Sequence, residues 1–251
     1  DNIDTESIAA STVGFSGADL KNLINEAALL AGRKNKQKVE LEDLDQARDK
    51  IMLGMKREER LRKEEKERIA YHEAGHALVA NYLPNTDPIK KITIIPRGKS
   101  LGATEQVPDI DRYNLSEDYL LDMIAVRLGG RAAERIVFNT ITNGAASDFK
   151  QVTKIARQMV CQWGMSEELG PVNYRFGEDH VFLGREMAQN KDFSEHTAKI
   201  IDEQIQKILK NMQSKAEKIL KENREKLDKL AKELMEKETL EESEFKEILK
   251  K

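Results

Sequence analysis

Tyr71-His72-Glu73-Ala74-Gly75-His76 is the stretch on which the reading of this chain turns. On a helix, His72 and His76 stand one turn apart on one face. Two imidazole nitrogens then reach a single metal ion without distorting the backbone. Glu73, beside the first histidine, faces the open coordination position. This is H-E-x-x-H spacing: two ligands, a general base, and a third ligand still to be found. The flanks predict the helix it needs, because Arg68, Ile69, Ala70, Ala74, Ala77, Leu78, Val79 and Ala80 suit one and Pro84 ends it. Gly75 costs about 1 kcal/mol against alanine mid-helix; room for a neighbouring element or for the metal is its justification. The chain has four histidines in 251 residues, and two of them bracket this glutamate. Ordinary packing on a half-buried face is the poorer account of that placement.

Working outward, composition fits a soluble intracellular chain, with 39% hydrophobic and 35% charged residues and a net charge of −3. No apolar run approaches the roughly 20 residues that span a bilayer, and no signal peptide opens the sequence. The single cysteine, Cys161, allows no internal disulfide. Lying among Met159, Val160 and Trp163, it reads as a buried thiol rather than a ligand. The near-neutral charge balance gives no support for nucleic-acid binding.

Three segments separate. Residues 1–55 read as a small helical unit: Ser16-Gly17-Ala18-Asp19 opens a helix through Leu20, Leu23, Ile24, Ala27, Ala28 and Leu30, and a second helix runs from about Glu42 to Ile51. The charge run at 56–68 reads as a solvated linker or an exposed helix face. Residues 69–251 form the larger domain. There, Ile89–Ile95 is rich in β-branched residues and stops at Pro96-Arg97-Gly98, predicting a strand. A second extended piece at Gly102–Val107 makes a hairpin or small sheet with it. Helix returns from Ser116 to Phe138, where Gly129-Gly130 predicts close helix packing, and again from Asp148. Beyond Ser194, Ile201, Ile205, Ile208, Met212, Ile219, Leu227, Leu230 and Leu234 form an apolar stripe. It predicts two or three core-packed helices with breaks near Asn211–Ser214 and Lys237–Ser243. The stripe lacks the unbroken heptads of a coiled coil. The fold class is mainly α.

The third ligand stays open on spacing alone. A histidine six residues past His76 is excluded, because Tyr82 stands there. His180 and His196 lie too far along to place. A carboxylate is favoured, with Glu134 and Asp148 the candidates. Asp148, opening a helix after Gly144-Ala145-Ala146-Ser147, also suits a simple N-cap.

The chain resembles the FtsH family of membrane-anchored AAA+ zinc proteases over essentially its whole length. Phe15-Ser16-Gly17-Ala18-Asp19-Leu20 with Asn25-Glu26-Ala27-Ala28 looks like the helical lid that closes the family's ATPase module. Tyr71 to Ala77 matches the metal helix, and Ile94-Ile95-Pro96-Arg97-Gly98 the strand beside the active site. Leu128-Gly129-Gly130-Arg131-Ala132-Ala133-Glu134 matches a family helix. Thr142-Asn143-Gly144-Ala145-Ala146-Ser147-Asp148 corresponds to the segment that donates an aspartate ligand. Trp163-Gly164-Met165-Ser166 and Val181-Phe182-Leu183-Gly184-Arg185 complete the set. The resemblance implies an AAA-type lid followed by a helical metalloprotease domain with a small sheet beside the zinc helix. It implies that His72, His76 and Asp148 bind Zn2+, with Glu134 a supporting acid that holds a ligand histidine. Arg131 and Asn143 receive no role. It further implies unfolded polypeptide substrates, a homo-hexamer, and a full-length protein at the bacterial inner membrane with this part on the cytoplasmic side.

The expected chemistry follows. Zinc with three protein ligands keeps a fourth position for water and lowers its pKa to roughly 7. Glu73 takes the proton as that water attacks the peptide carbonyl, then returns it to the leaving amine. The strand at Ile92–Ile95 is expected to bind substrate by edge pairing. No G-x-x-x-x-G-K-[ST] loop is present, so ATP and Mg2+ belong to the full-length protein and this chain alone is expected not to hydrolyse ATP. The rival reading, a helical adaptor stapled by structural zinc, calls for four protein ligands, often cysteines.

Overall fold

The computed structural model describes residues 5–56, 61–98, 100–108, 114–174 and 193–250. In chain order the elements are α1 (Thr5–Ser11), α2 (Gly17–Arg33), α3 (Leu41–Leu53), α4 (Lys63–Tyr82), β1 (Ile89–Thr93), β2 (Ala103–Gln106) and α5 (Glu117–Phe138). A 3-10 turn (Asn143–Ala145) then leads into α6 (Ala146–Cys161), α7 (Glu195–Glu222), α8 (Arg224–Lys237), β3 (Thr239–Glu241) and α9 (Glu242–Lys250). The protein is mainly α with one small antiparallel sheet. No helix among the described residues is long and apolar enough to cross a membrane. Residues 181–185, quoted above for the resemblance, and His180 lie outside the described residues.

Two compact units make up the chain. The first draws on Asp1–Glu73, Asp87–Asp111 and Lys229–Lys251. Its N-terminal helices show why Ser16 and Asp19 start a helix: Ser16 Oγ accepts from the Asp19 backbone N–H, and Asp19 Oδ2 accepts from the Ser16 N–H at 2.9 Å. Leu23 and Ala27 of α2 pack on Leu44 and Ala47 of α3, with Ile8, Leu30, Val39 and Ile51 around them. Asp43, in the first turn of α3, is fully buried and receives Lys36 at 3.0 Å, Lys34 at 3.1 Å and the Glu40 backbone N–H at 3.1 Å.

Burial pushes the Asp43 carboxyl up, but the Lys36 ammonium, the Glu40 N–H and the Lys34 ammonium outweigh it and hold it at about 2, below its ordinary 3.8. A depressed folded-state value stabilises the fold at pH above the unfolded value and is lost as pH falls through the folded one. Thermal melts of wild type and Asp43→Asn between pH 5 and pH 2 test this. The wild-type advantage is expected to be full above about pH 4 and to disappear as pH falls towards about 2.

The same unit holds the sheet, in the order β2-β1-β3. β1 is central: Lys91, Ile92 and Thr93 pair with Glu105, Thr104 and Ala103 on one side and with Glu241, Leu240 and Thr239 on the other. The expectation that this strand binds substrate along its own edge therefore fails. Both of its edges are occupied, and Ile94 N donates onward to Glu238 O. β3 arises where only a helix break was expected. Three residues are too few for a readable period, yet Leu240 is fully buried beside its strand partner Ile92. Of the two readings of the charge run, Lys63 to Arg68 take the helical one: they form the opening turns of α4, with Lys63 to Glu65 exposed, rather than a linker. Lys66 there pairs with Glu238 at 2.7 Å.

The second unit draws on Ala74–Thr86 and Arg112–Asp228. Its core joins Leu120, Ile124 and Leu128 of α5, Val152, Ala156, Met159, Val160 and Cys161 of α6, and Ile201 and Ile205 of α7. The apolar stripe is thus core, and the Cys161 thiol is buried and in no disulfide, its pKa pushed up by that burial. α7 runs unbroken through Asn211–Ser214, against expectation. None of those four residues is glycine or proline, each costs under about 0.7 kcal/mol in a helix, and Met212 packs on the core. Thr86 Oγ1 donates to Ala80 O at 2.7 Å, satisfying a carbonyl at the end of α4 just beyond Pro84.

Candidate metal centre

α4 is one continuous helix, and from Ala74 to Ala80 every residue is buried. That stretch is enclosed on all sides and includes His76, while His72, one turn earlier, is half-buried. His76 is fixed from the distal side of its ring: Nδ1 lies 2.8 Å from the Val126 carbonyl of α5. A carbonyl can only accept, so Nδ1 carries the hydrogen of this bond and Nε2 is the ring nitrogen left to face Asp148. That Nε2 stands 3.7 Å from Asp148 Oδ2. The distance is beyond a hydrogen bond but close to the roughly 3.3–3.5 Å between N and O ligands of a tetrahedral zinc.

The three donors come together: one ligand atom each from His72, His76 and Asp148 lies within 4.8 Å of the others. Glu134 and His196 are not in that group, and His180 lies outside the described residues. The donor chemistry, two imidazoles and one carboxylate, fits a zinc ion. Asp148 sits in the first turn of α6, but the helix N-cap is Ala145, so the N-cap alternative for this aspartate fails.

Glu134 is buried and accepts from Thr142 Oγ1 at 3.0 Å. Thr142 Oγ1 in turn accepts from Gly144 N at 3.2 Å, capping the 3-10 turn that delivers α6. Arg131 lies with its guanidinium carbon 4.7 Å from the Phe149 ring centroid, one residue past Asp148. α5 therefore braces the segment carrying the aspartate.

Three features were not legible in sequence. Thr104 of β2 donates to Glu73 Oε2 at 2.8 Å, and a Cβ on Gly102 would lie 2.8 Å from Glu73 Oε1. Only the chain reversal between Glu73 and β2 makes these meetings. The Val126 carbonyl carries no side-chain signature at all.

A helix-borne histidine pair, an adjacent glutamate and one further carboxylate make up the donor set of a three-ligand metal-dependent hydrolase. Comparison with known proteins narrows this. Residues 59–248 match Peptidase family M41, and residues 2–46 match the AAA+ lid domain. The chain is 55% identical over 249 residues to the ATP-dependent zinc metalloprotease FtsH of Nitrosococcus oceani, covering 99% of this chain and 39% of that protein. Identity to the proteins of the same name from Syntrophotalea carbinolica and Marinobacter nauticus is 47% over 250 residues and 48% over 248 residues. Those matches cover 100% and 99% of this chain and 39% of each relative. This chain belongs to peptidase family M41. It spans about two fifths of the length of these curated relatives.

Proposed function

We propose that this chain is the zinc-dependent endopeptidase part of a longer ATP-dependent protease, with residues 1–55 an AAA-type lid and residues 69–251 the protease domain. The observation that carries the reading is the convergence of His72, His76 and Asp148 on one point, with Glu73 next in sequence to the first ligand. The family membership and the lid match support it. The rival reading of a structural zinc staple finds no fourth protein donor in the group among the described residues.

His72, His76 and Asp148 are the residues that would hold zinc. A zinc ion bound by them supplies a Lewis acid that polarises a carbonyl and brings the pKa of a bound water to roughly 7. The remaining work falls to the chain itself. Val126 O fixes the His76 tautomer through Nδ1. Glu73 accepts a proton from the attacking water and delivers it to the amine of the departing segment. Extended, unfolded polypeptide is the proposed substrate. With β1 closed on both sides, the outer edge of β2, whose Thr104 touches Glu73, is the proposed docking edge. The longer protein is proposed to be a homo-hexamer at the bacterial inner membrane, with this part on the cytoplasmic side and ATP and Mg2+ bound by segments outside this chain.

Zinc analysis together with cleavage of casein tests the reading. Wild type is expected to hold one zinc per chain and to cleave casein, with activity lost on chelation and restored by zinc. Asp148→Ala is expected to lose stoichiometric zinc. Glu134→Ala is expected to weaken zinc by no more than roughly 10- to 100-fold, the range for groups that brace a ligand. The reverse order of effects would exchange the roles of the two acids.

A further inference from the structure

We infer that Thr142 is a positioning residue for Asp148, its hydroxyl tying the turn that carries the aspartate to Glu134 of α5. This rests on Asp148 being a metal ligand and adds what holds that ligand in place. Thr142 Oγ1 donates to Glu134 Oε2 at 3.0 Å and accepts from Gly144 N at 3.2 Å. A hydroxyl does both at once, having one proton to give and lone pairs to receive.

The way α6 begins creates the need for such a tie. Asp148 lies in the first turn of that helix, yet the N-cap residue is Ala145, which offers no side-chain bond. The first N–H groups of a helix have no partner within it, so an end without a side-chain cap is held only by what precedes it. Here that is the 3-10 turn Asn143–Ala145, and Thr142 is its N-cap. The Asn143 carbonyl accepts the Ala146 N–H, so the turn runs directly into the helix.

Glu134 is buried on α5, the helix whose Val126 carbonyl bonds His76 Nδ1. Through Thr142 the aspartate is referred to the same helix as the histidine. All of these residues lie in the second compact unit. α5 has another hold on the far side of Asp148: the Arg131 guanidinium carbon stands 4.7 Å from the Phe149 ring centroid, and Phe149 packs against the core. With Phe149 kept, losing the Thr142 hydroxyl leaves α6 folded and frees its first turn, where the ligand sits.

Zinc affinity of the folded 251-residue chain tests this, by titration against a chromophoric chelator well below the melting temperature. A cap that served folding alone would, once removed, lower the melting temperature and leave that affinity unchanged. Thr142 has extended backbone (φ −116°, ψ 173°), which a β-branched valine adopts freely. Thr142→Val is expected to weaken zinc roughly 10- to 100-fold, the range for groups that orient a ligand. Thr142→Ala, without the branch, carries the same expectation should the valine variant misfold. Thr142→Ser is expected to stay within about three-fold of wild type, since serine caps at least as well as threonine. Cobalt(II) in place of zinc adds a spectroscopic readout: its visible bands report the ligand set, and they are expected to change in Thr142→Val and to match wild type in Thr142→Ser. Wild-type zinc affinity and cobalt bands in Thr142→Val would overturn the proposal, as would a serine variant as weak as the valine one. Asp148→Ala run in parallel distinguishes the failures. If it binds zinc like wild type, the ligand reading falls and the proposal with it; if it loses zinc while Thr142→Val is normal, the positioning role alone falls.

Discussion

Glu73→Gln is expected to keep zinc at one per chain while casein cleavage drops by about 10²- to 10⁴-fold, the range that general acid–base catalysis contributes. The substitution is close to isosteric, and the amide oxygen can still accept the Thr104 hydroxyl that now reaches Oε2 at 2.8 Å. Packing is therefore retained. What disappears is a group able to take and return a proton, because a carboxamide is not a base at neutral pH. The loss should fall on kcat with KM little changed, since a group used during proton transfer adds little to ground-state binding. Zinc content by elemental analysis and steady-state cleavage on one preparation check both halves. Equal activity in the two proteins would remove Glu73 from its role. Activity confined to short peptides would redirect the substrate reading towards a small-peptide peptidase.

Gly75→Ala carries the second large effect, and its sign is set by two opposing terms. Alanine in a helix interior favours folding by about 1 kcal/mol relative to glycine. Against that, a Cβ at Gly75 would stand 2.5 Å from Gly129 O, 2.7 Å from Ala133 Cβ and 3.0 Å from Gly129 C. The approach is reciprocal: a Cβ at Gly129 would meet Gly75 O at 2.7 Å and Val79 Cγ2 at 3.0 Å. Backbone cannot step aside as a flexible side chain can, so α4 and α5 must separate. Overpacking of this kind costs about 1–3 kcal/mol or more, and the clash outweighs the propensity gain. Separation also pulls the Val126 carbonyl from His76 Nδ1, a bond of 2.8 Å that orients the imidazole. Gly75→Ala is therefore expected to lower both the melting temperature and zinc affinity. Gly32→Ala is the control: it lies in α2 with nothing within 4 Å of the added carbon. There the propensity term acts alone, and a gain of about 0.5–1 kcal/mol is expected. Denaturant titrations with parallel zinc binding decide the matter; a stable, zinc-replete Gly75→Ala would show that the two helices tolerate a wider separation.

Particular residues show how far sequence reading carried. The helix under His72 and His76 was legible because local composition was helical on both sides and Pro84 closed it. Gly75 and Gly129 were legible as sites of close approach because mid-helix glycine is costly without a neighbour. Asp148 and Glu134 were not separable by spacing. Their distance from His76 depends on how α5 and α6 pack, and no local pattern encodes it. Two segments mark the limit of local patterning. At Lys63–Arg68 linker and exposed helix face stayed open, because charge patterning cannot tell a solvated helix turn from a loop. Asn211–Ser214 looked like a break because modest local propensity was weighed without the core contact of Met212.

What the amino-acid order determined by itself is chemistry along a single element: two imidazoles one helical turn apart, a carboxylate beside them, and helices where apolar residues recur at helical period. Those follow from backbone geometry repeating every few residues. Which acid completes the donor group, which carbonyl orients His76, and which hydroxyl holds Glu73 were decided only by the tertiary structure. Thr104 is 31 residues from Glu73 and Val126 is 50 residues from His76. Contacts at such separation are set by packing, and the same packing closed both edges of β1 and set Thr104 of β2 against Glu73.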